Sequence, residues 1–325
     1  MASTTSIGTG TLIKKPNDWK DYILKNWFFY LILLPVMAYF IIFKYVPMYG
    51  ILIAFKRYRP NLGVWRSPWA KNSGFEHFID YFGSIFFLRT FGNTLKISVL
   101  SLVFGFPAPI ILALMLNEVK TTSIKRTVQT ISYLPHFISI VIIAGMVHDF
   151  LNFDGMLTTI MNFLFGAEKK VWLNDIHAYR TIYVTSGIWQ TVGWGAIIYL
   201  ASLSNIDTQL YDAAEIDGCG ILRKMWHVTI PGIIPTIMIL LILRIGAMLN
   251  VGHEKTLLLY NPNTFEVSDV IMTYVYRKAF GIGQTSSSGN FAFSATVNLV
   301  NSVVNLALLT SANFLSRRYS ETSLW

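Results

Sequence analysis

Six stretches of this chain are apolar for long enough to cross a bilayer. They cover residues 27–46, 91–116, 128–150, 181–203, 230–252 and 291–314. A span takes roughly 20 mostly apolar residues at about 1.5 Å of rise each. The first begins Trp27-Phe28-Phe29-Tyr30, aromatic residues suited to the bilayer interface. Pro107, Pro109 and Pro135 fall inside spans. Each removes a backbone donor and predicts a bend, tolerated where neighbouring helices satisfy the freed groups. The pattern predicts an all-α membrane protein of about six transmembrane helices. Residues 27–314 form a single transmembrane domain between an N-terminal segment, 1–26, and a tail, 315–325.

Composition agrees. Of 325 residues, 53% are hydrophobic and only 13% charged, against about 25% charged in soluble domains; mean hydropathy is +0.49. The net charge of +9 is scattered between apolar runs rather than gathered on one face. It therefore reads as lipid headgroup contact and orientation, not nucleic-acid binding. Residues 1–10 lack the basic start and apolar run of a signal peptide. Lys14, Lys15, Lys20 and Lys25 instead flank an uncleaved first span.

Six spans put both termini on one side, with 1–26, 117–127, 204–229 and 315–325 cytoplasmic. Lys120, Lys125, Arg126, Arg317 and Arg318 support this side by the positive-inside bias. The opposite loops, 47–90, 151–180 and 253–290, carry Lys56, Arg57, Arg59, Arg66, Lys71 and Arg89, so charge alone weighs lightly. The run 281–289, Gly-Ile-Gly-Gln-Thr-Ser-Ser-Ser-Gly, reads as a flexible link.

The lone Cys219 excludes an intramolecular disulfide and a cysteine zinc cluster, and reads as a small filler. The six histidines show no metal-ligand spacing. No G-x-x-x-x-G-K-[ST] loop occurs, so the chain is expected to bind no ATP or other cofactor itself.

Several polar residues sit where lipid suits them poorly. Asn298, Asn301 and Asn305, with Ser294 one turn earlier, make a stripe on the sixth span. The stripe faces either a helix, as interhelical glue, or a substrate path. Arg244 lies about 21 Å from Ile230 along the fifth span, either snorkelling outward or facing the path; Asn250, six residues on, is equally ambiguous. Gln190 and Trp194, four apart on the fourth span, suit either a sugar contact or packing. Lys96 is expected to snorkel.

The insert at 204–229 is the most specific text. Asp207 or Thr208 can cap a helix over 209–216, Gly218 and Gly220 break it, and 221–228 can form a second short helix. Pro231 suits the entry to the next span. Asp212-Ala213-Ala214-Glu215-Ile216-Asp217-Gly218, a spacer, then Ile230-Pro231-Gly232 and Pro235 resemble the "EAA" coupling loop of permease subunits of binding-protein-dependent, ATP-driven importers. The resemblance runs from about Asn93 to the C-terminus. Trp189-Gln190-x-x-Gly193-Trp194 and Ile198-Tyr199-Leu200-Ala201 are similar to the oligosaccharide branch. Ser132-Tyr133-Leu134-Pro135-His136-Phe137 and Tyr45-x-Pro47-Met48-Tyr49-Gly50 are similar to a narrower branch that includes alginate importers.

The resemblance implies a non-catalytic inner-membrane subunit forming the path of an oligosaccharide, with an acidic, alginate-like one leading. The implied partners are a second homologous permease, two ATP-binding-cassette subunits that bind ATP and Mg, and an extracytoplasmic solute-binding protein. It places the ATPase contact on Asp212, Ala213, Ala214, Asp217, Gly218 and Arg223, with aspartate at 212 where glutamate is commoner. An ion-coupled secondary transporter is the alternative, disfavoured because no span carries a central carboxylate. A membrane-embedded hydrolase lacks a visible catalytic constellation.

Overall fold

A computed structural model describes residues 19–282, 290–319 and 323–324. Most of the N-terminal segment, residues 283–289 of the glycine-serine link, and 320–322 and 325 of the tail lie outside the described residues. The chain divides into two compact units, Met1–Leu52 and Ile53–Trp325.

In the first unit, α1 (Trp27–Phe40) reads WFFYLILLPVMAYF. A helix apolar on all sides belongs in hydrocarbon. The helical stretch that begins at Trp27 has mean hydropathy 2.0.

The second unit begins its bundle with α2 (Ile85–Gly105), capped by the Ser84 hydroxyl, which accepts from the Phe86 N–H at 3.2 Å. Pro107 opens α3 (Pro107–Glu118) at the position where its missing N–H matters least. Phe106 keeps right-handed helical dihedrals. The two helices therefore run as one 34-residue stretch, Ile85–Glu118, starting six residues before the expected 91.

The expected straight span at 128–150 is corrected. α4 (Thr122–Tyr133) stops at a 3-10 turn, Leu134–Phe137, and α5 (Ile140–Phe150) leaves at 103° to it. Pro135 removes a donor, and Ser139, extended, caps α5 by accepting from Ile142 N–H at 3.4 Å. α4 is also polar on one side (TSIKRTVQTISY), which hydropathy averaged over 128–150 conceals.

α6 (Ile176–Leu203) runs 28 residues, five residues ahead of the expected start. The Asp175 carboxylate caps it, accepting from His177 N–H at 2.8 Å. It packs on α2, α3 and α4, and its many polar residues keep it below the hydropathy of a lone span. Four helical stretches pass that test among the described residues, five if the bent pair counts as one; α6 is the remaining expected span.

After α7 (Thr208–Ile216) comes a helix running from Ile221 without a break, Ile221–Gly246. The expected separate short helix at 221–228 is thus the first part of this rod, whose later part is α8 (Ile230–Gly246). A widened π turn, Met225–Thr229, joins them just before Pro231, where the ordinary hydrogen-bond ladder loses a donor. α8 ends at Gly246, six residues short of the expected 252. Then follow α9 (His253–Leu259), α10 (Ile271–Phe280), closed by left-handed Gly281 at φ +67°, and α11 (Phe291–Tyr319).

The core follows α6. Near its C-terminal end, Ala196, Tyr199 and Leu203 pack with Ala113 and Leu114 of α3 and Ile233 of α8. Near its N-terminal end, Tyr179, Tyr183 and Val184 pack with Ile97, Val251, Leu259 and Val270. Lipid tails are as apolar as leucine, so this association relies on close packing. Gly193 is the tightest case: a Cβ there would stand 2.1 Å from the Ser132 carbonyl oxygen.

Candidate functional site

Two features carry the functional candidates: the elbow at 204–229 and a polar cavity beside α6. In the elbow, the Asp207 carboxylate caps α7 by accepting from Gln209 N–H at 2.9 Å. At its far end, Cys219 N–H donates to the Ala214 carbonyl at 2.9 Å, and Gly218 takes φ +72°, a left-handed conformation in which a side chain is strained. Lys224 reaches back to the Glu215 carboxylate at 2.5 Å. Each holds the other charged, so Glu215 titrates below and Lys224 above its ordinary value. The Tyr211 hydroxyl donates to Thr229 Oγ1 at 3.2 Å, tying α7 to the start of α8.

This bracing turns the predicted contact residues outward. Asp212, Ala213, Asp217, Gly218 and Arg223 are exposed, while Ala214 is buried. Around them stand Leu210, Ile216, Leu222 and Trp226, also exposed. The elbow thus exposes small residues flanked by apolar ones.

The cavity holds about 340 Å³ between α2, α6, the end of α8, the turn 247–252 and α9. Gln190, Arg244 and Asn250 line it, so three of the predicted path residues meet there. Ser98, Ser101 and Thr191 add hydroxyls, and no Asp or Glu is among the lining residues. The Ser98 hydroxyl donates to the Met248 carbonyl, fixing the turn after α8.

Lys255 is the residue that sequence reading missed. It lies in what reads as an outer loop, but α9 folds it inward. It is buried, its Nζ donating to the Tyr183 carbonyl at 2.7 Å and standing 4.5 Å from the Tyr183 ring centre. Burial pulls its ammonium down to about 8. Gly187 makes room, since a Cβ there would sit 3.1 Å from Nζ. No sequence period marks this lysine; the only local hint is a glycine that faces it from another helix.

Other predicted residues lie elsewhere. Trp194 does not join Gln190: it stacks on His136, centroids 4.5 Å apart and 4° from parallel, with Phe137 edge-on at 5.8 Å. Four helical residues leave about 40° of offset, which points the long indole at the turn between α4 and α5. The asparagine stripe also divides. Asn301 and Asn305 are buried and donate to Asn250 Oδ1 at 3.2 and 3.1 Å, while Asn305 Oδ1 accepts from Leu249 N–H at 3.1 Å. They are interhelical glue that holds Asn250 against the cavity. Asn298 is exposed and touches none of this.

Residues 105–321 match the family described as "Binding-protein-dependent transport system inner membrane component". The chain belongs to that family. The permease is 42% identical over 309 residues to "Protein LplB" of Bacillus subtilis (strain 168), covering 95% of this chain and 94% of that protein. It is 41% identical over 303 residues to the "Polygalacturonan/rhamnogalacturonan transport system permease protein YteP" of the same organism, covering 93% and 92%. Among solved structures it is similar to a chain of a bacterial alginate ABC transporter in complex with alginate pentasaccharide-bound periplasmic protein. The TM-score there is 0.83 at 40% identity, over 94% of this chain and 99% of that one. This permease is an inner-membrane subunit of an ABC importer, and the ion-coupled alternative is not favoured.

Proposed function

We propose that the chain lines the passage of an ATP-driven importer for an acidic oligosaccharide, uronate oligomers of the alginate type. It does no chemistry itself. A second homologous permease completes the passage, two ATP-binding-cassette subunits bind ATP and Mg and supply the work, and an extracytoplasmic binding protein delivers the sugar. The 204–229 elbow faces the cytoplasm with both termini, and Asp212, Ala213, Asp217, Gly218 and Arg223 meet the ATPase. Buried Ala214 lets α7 sit close to its support.

The observation that carries the substrate class is the cavity wall. Arg244 and Lys255 bring positive charge to a polar cavity whose lining holds no carboxylate. Gln190, Thr191 and Asn250 add hydrogen-bonding groups suited to sugar hydroxyls. The polymers named for the two relatives above, alginate and polygalacturonan/rhamnogalacturonan, are built on uronic acids, which agrees with that charge.

The test is uptake by the reconstituted importer, with its ATPase and binding protein, of a uronate tetrasaccharide and of its carboxyl-reduced, neutral counterpart. Preference for the acid that falls in Arg244→Gln and Lys255→Met is expected. Equal uptake of both sugars by the wild type overturns the acidic assignment.

A further inference from the structure

We propose that a second polar pocket, at the end of α6 remote from the elbow, is a carboxylate-binding site that takes an anionic sugar before the α2–α6–α8 cavity does. The inference rests on the acidic-substrate reading above and adds a site to it. The pocket holds about 570 Å³ and is lined by Arg89, Asn93 and Lys96 of α2, His177 and Arg180 of α6, and Glu266.

Its positive charge is only partly offset: Glu266 brings one carboxylate against Arg89, Lys96 and Arg180. Asp269, fully buried, accepts from Arg277 through both oxygens at 2.8 and 2.7 Å, and from Arg89 at 3.3 Å. Two guanidinium groups thus share one carboxylate. Arg180 is held by a neutral group instead: its Nη2 donates to Asn93 Oδ1 at 3.0 Å. Asn93 is fixed in turn by donating Nδ2 to the Glu266 and Asp269 carbonyls at 2.7 and 3.1 Å. Among the described residues, no ion pair includes Arg180 or Lys96. The Nε atoms of Arg89 and Arg180 are buried without a hydrogen-bond partner there.

Folded proteins seldom leave buried donor atoms unmet. An arginine positioned by an amide rather than a carboxylate keeps its full charge and remaining guanidinium donors for an incoming anion, and a carboxylate is a natural match for them.

The pocket is also placed as an antechamber. Arg180, Val184, Gly187 and Thr191 follow one another on one face of α6 at helical spacing. The first lines this pocket and the other three line the cavity. From Arg180 to Gln190 is about 15 Å of helix, a distance that successive units of one oligosaccharide can bridge.

The test uses the assembled importer in proteoliposomes of zwitterionic lipid, with the uronate tetrasaccharide and its carboxyl-reduced counterpart as probes. Arg180→Gln and Lys96→Gln are each expected to lower the preference for the acid about tenfold, as loss of one hydrogen bond to a charged group does; Arg180→Lys, which keeps the charge, retains most of it. Copurification of the ATPase shows that the variants assemble. An unaltered preference in both glutamine variants overturns the site while leaving the functional reading in place. Equal loss of both sugars overturns it in favour of a purely structural role. An effect that appears only when anionic lipid is present overturns it in favour of a headgroup phosphate. A wild type with no preference for the acid overturns the functional reading and the site together.

Discussion

Gly193→Ala is the sharpest test of how the bundle is held together. The added methyl would meet the Ser132 carbonyl oxygen at 2.1 Å, the Ser132 carbonyl carbon at 2.3 Å and Tyr133 N at 2.8 Å. All three are backbone atoms of α4, so no side chain can swing aside. Moving the closest contact from 2.1 Å to the 3.4 Å of ordinary contact requires ~1.3 Å of separation between α4 and α6. Overpacking of this kind costs about 1–3 kcal/mol, and here the upper end applies because the whole helix must shift. At about 2–4 °C per kcal/mol, the scale for domains of about 150–250 residues, the melting temperature in detergent should fall by at most roughly 6–12 °C. Gly145→Ala in α5 is the control: nothing lies within 4 Å of its Cβ position, and alanine there favours the helix by about 0.5–1 kcal/mol. Melting curves of the purified subunit decide the matter. A Gly193→Ala protein that melts within a degree of wild type, or no lower than Gly145→Ala, refutes the backbone contact.

Other perturbations address function and charge. Ala213→Trp places a large ring on an exposed position of α7; the subunit should still insert, but copurification of the ATPase should be lost, and an intact complex would sink the docking face. Lys255 titrates near 8, below its ordinary 10.5. Uptake of an anionic sugar should therefore decline as pH rises through about 8, and Lys255→Met should flatten that profile. The folded state sheds this proton first, so stability should rise with pH between about 8 and 10.5; a melting temperature that falls over that window in wild type alone would contradict the burial. Asp269→Asn leaves Arg277 and Arg89 without their shared carboxylate, and breaking a buried pair costs about 3–5 kcal/mol. Sharply reduced yield of folded protein is expected, and normal yield and melting would show that the cluster is not structural.

The elbow was legible because its rules are local. A capping aspartate, two small residues and a glycine at positive φ declare themselves within a dozen positions, whatever surrounds them. Hydropathy did less well wherever a helix serves the interior. Arg180, Gln190 and their neighbours dilute the apolar signal of α6 while facing pockets, so its first five residues fall outside the apolar stretch. At 128–150, averaging hid the Pro135 turn and the Ser139 cap. The positions of Trp194 and Lys255 were not legible at all. Each is decided by a distant partner, His136 for one and the Tyr183 carbonyl for the other, and no spacing along the chain encodes those meetings.

Prolines are spread unevenly over the membrane-length stretches. Pro35, Pro107 and Pro109, Pro135, and Pro231 with Pro235 mark four of them, while α6 and α11, at 28 and 29 residues, have none. Two struts of roughly 42 Å without a proline crease keep an unbroken hydrogen-bond ladder. When solute crosses, these columns are expected to tilt or slide whole, with bending concentrated at the proline-bearing segments around them.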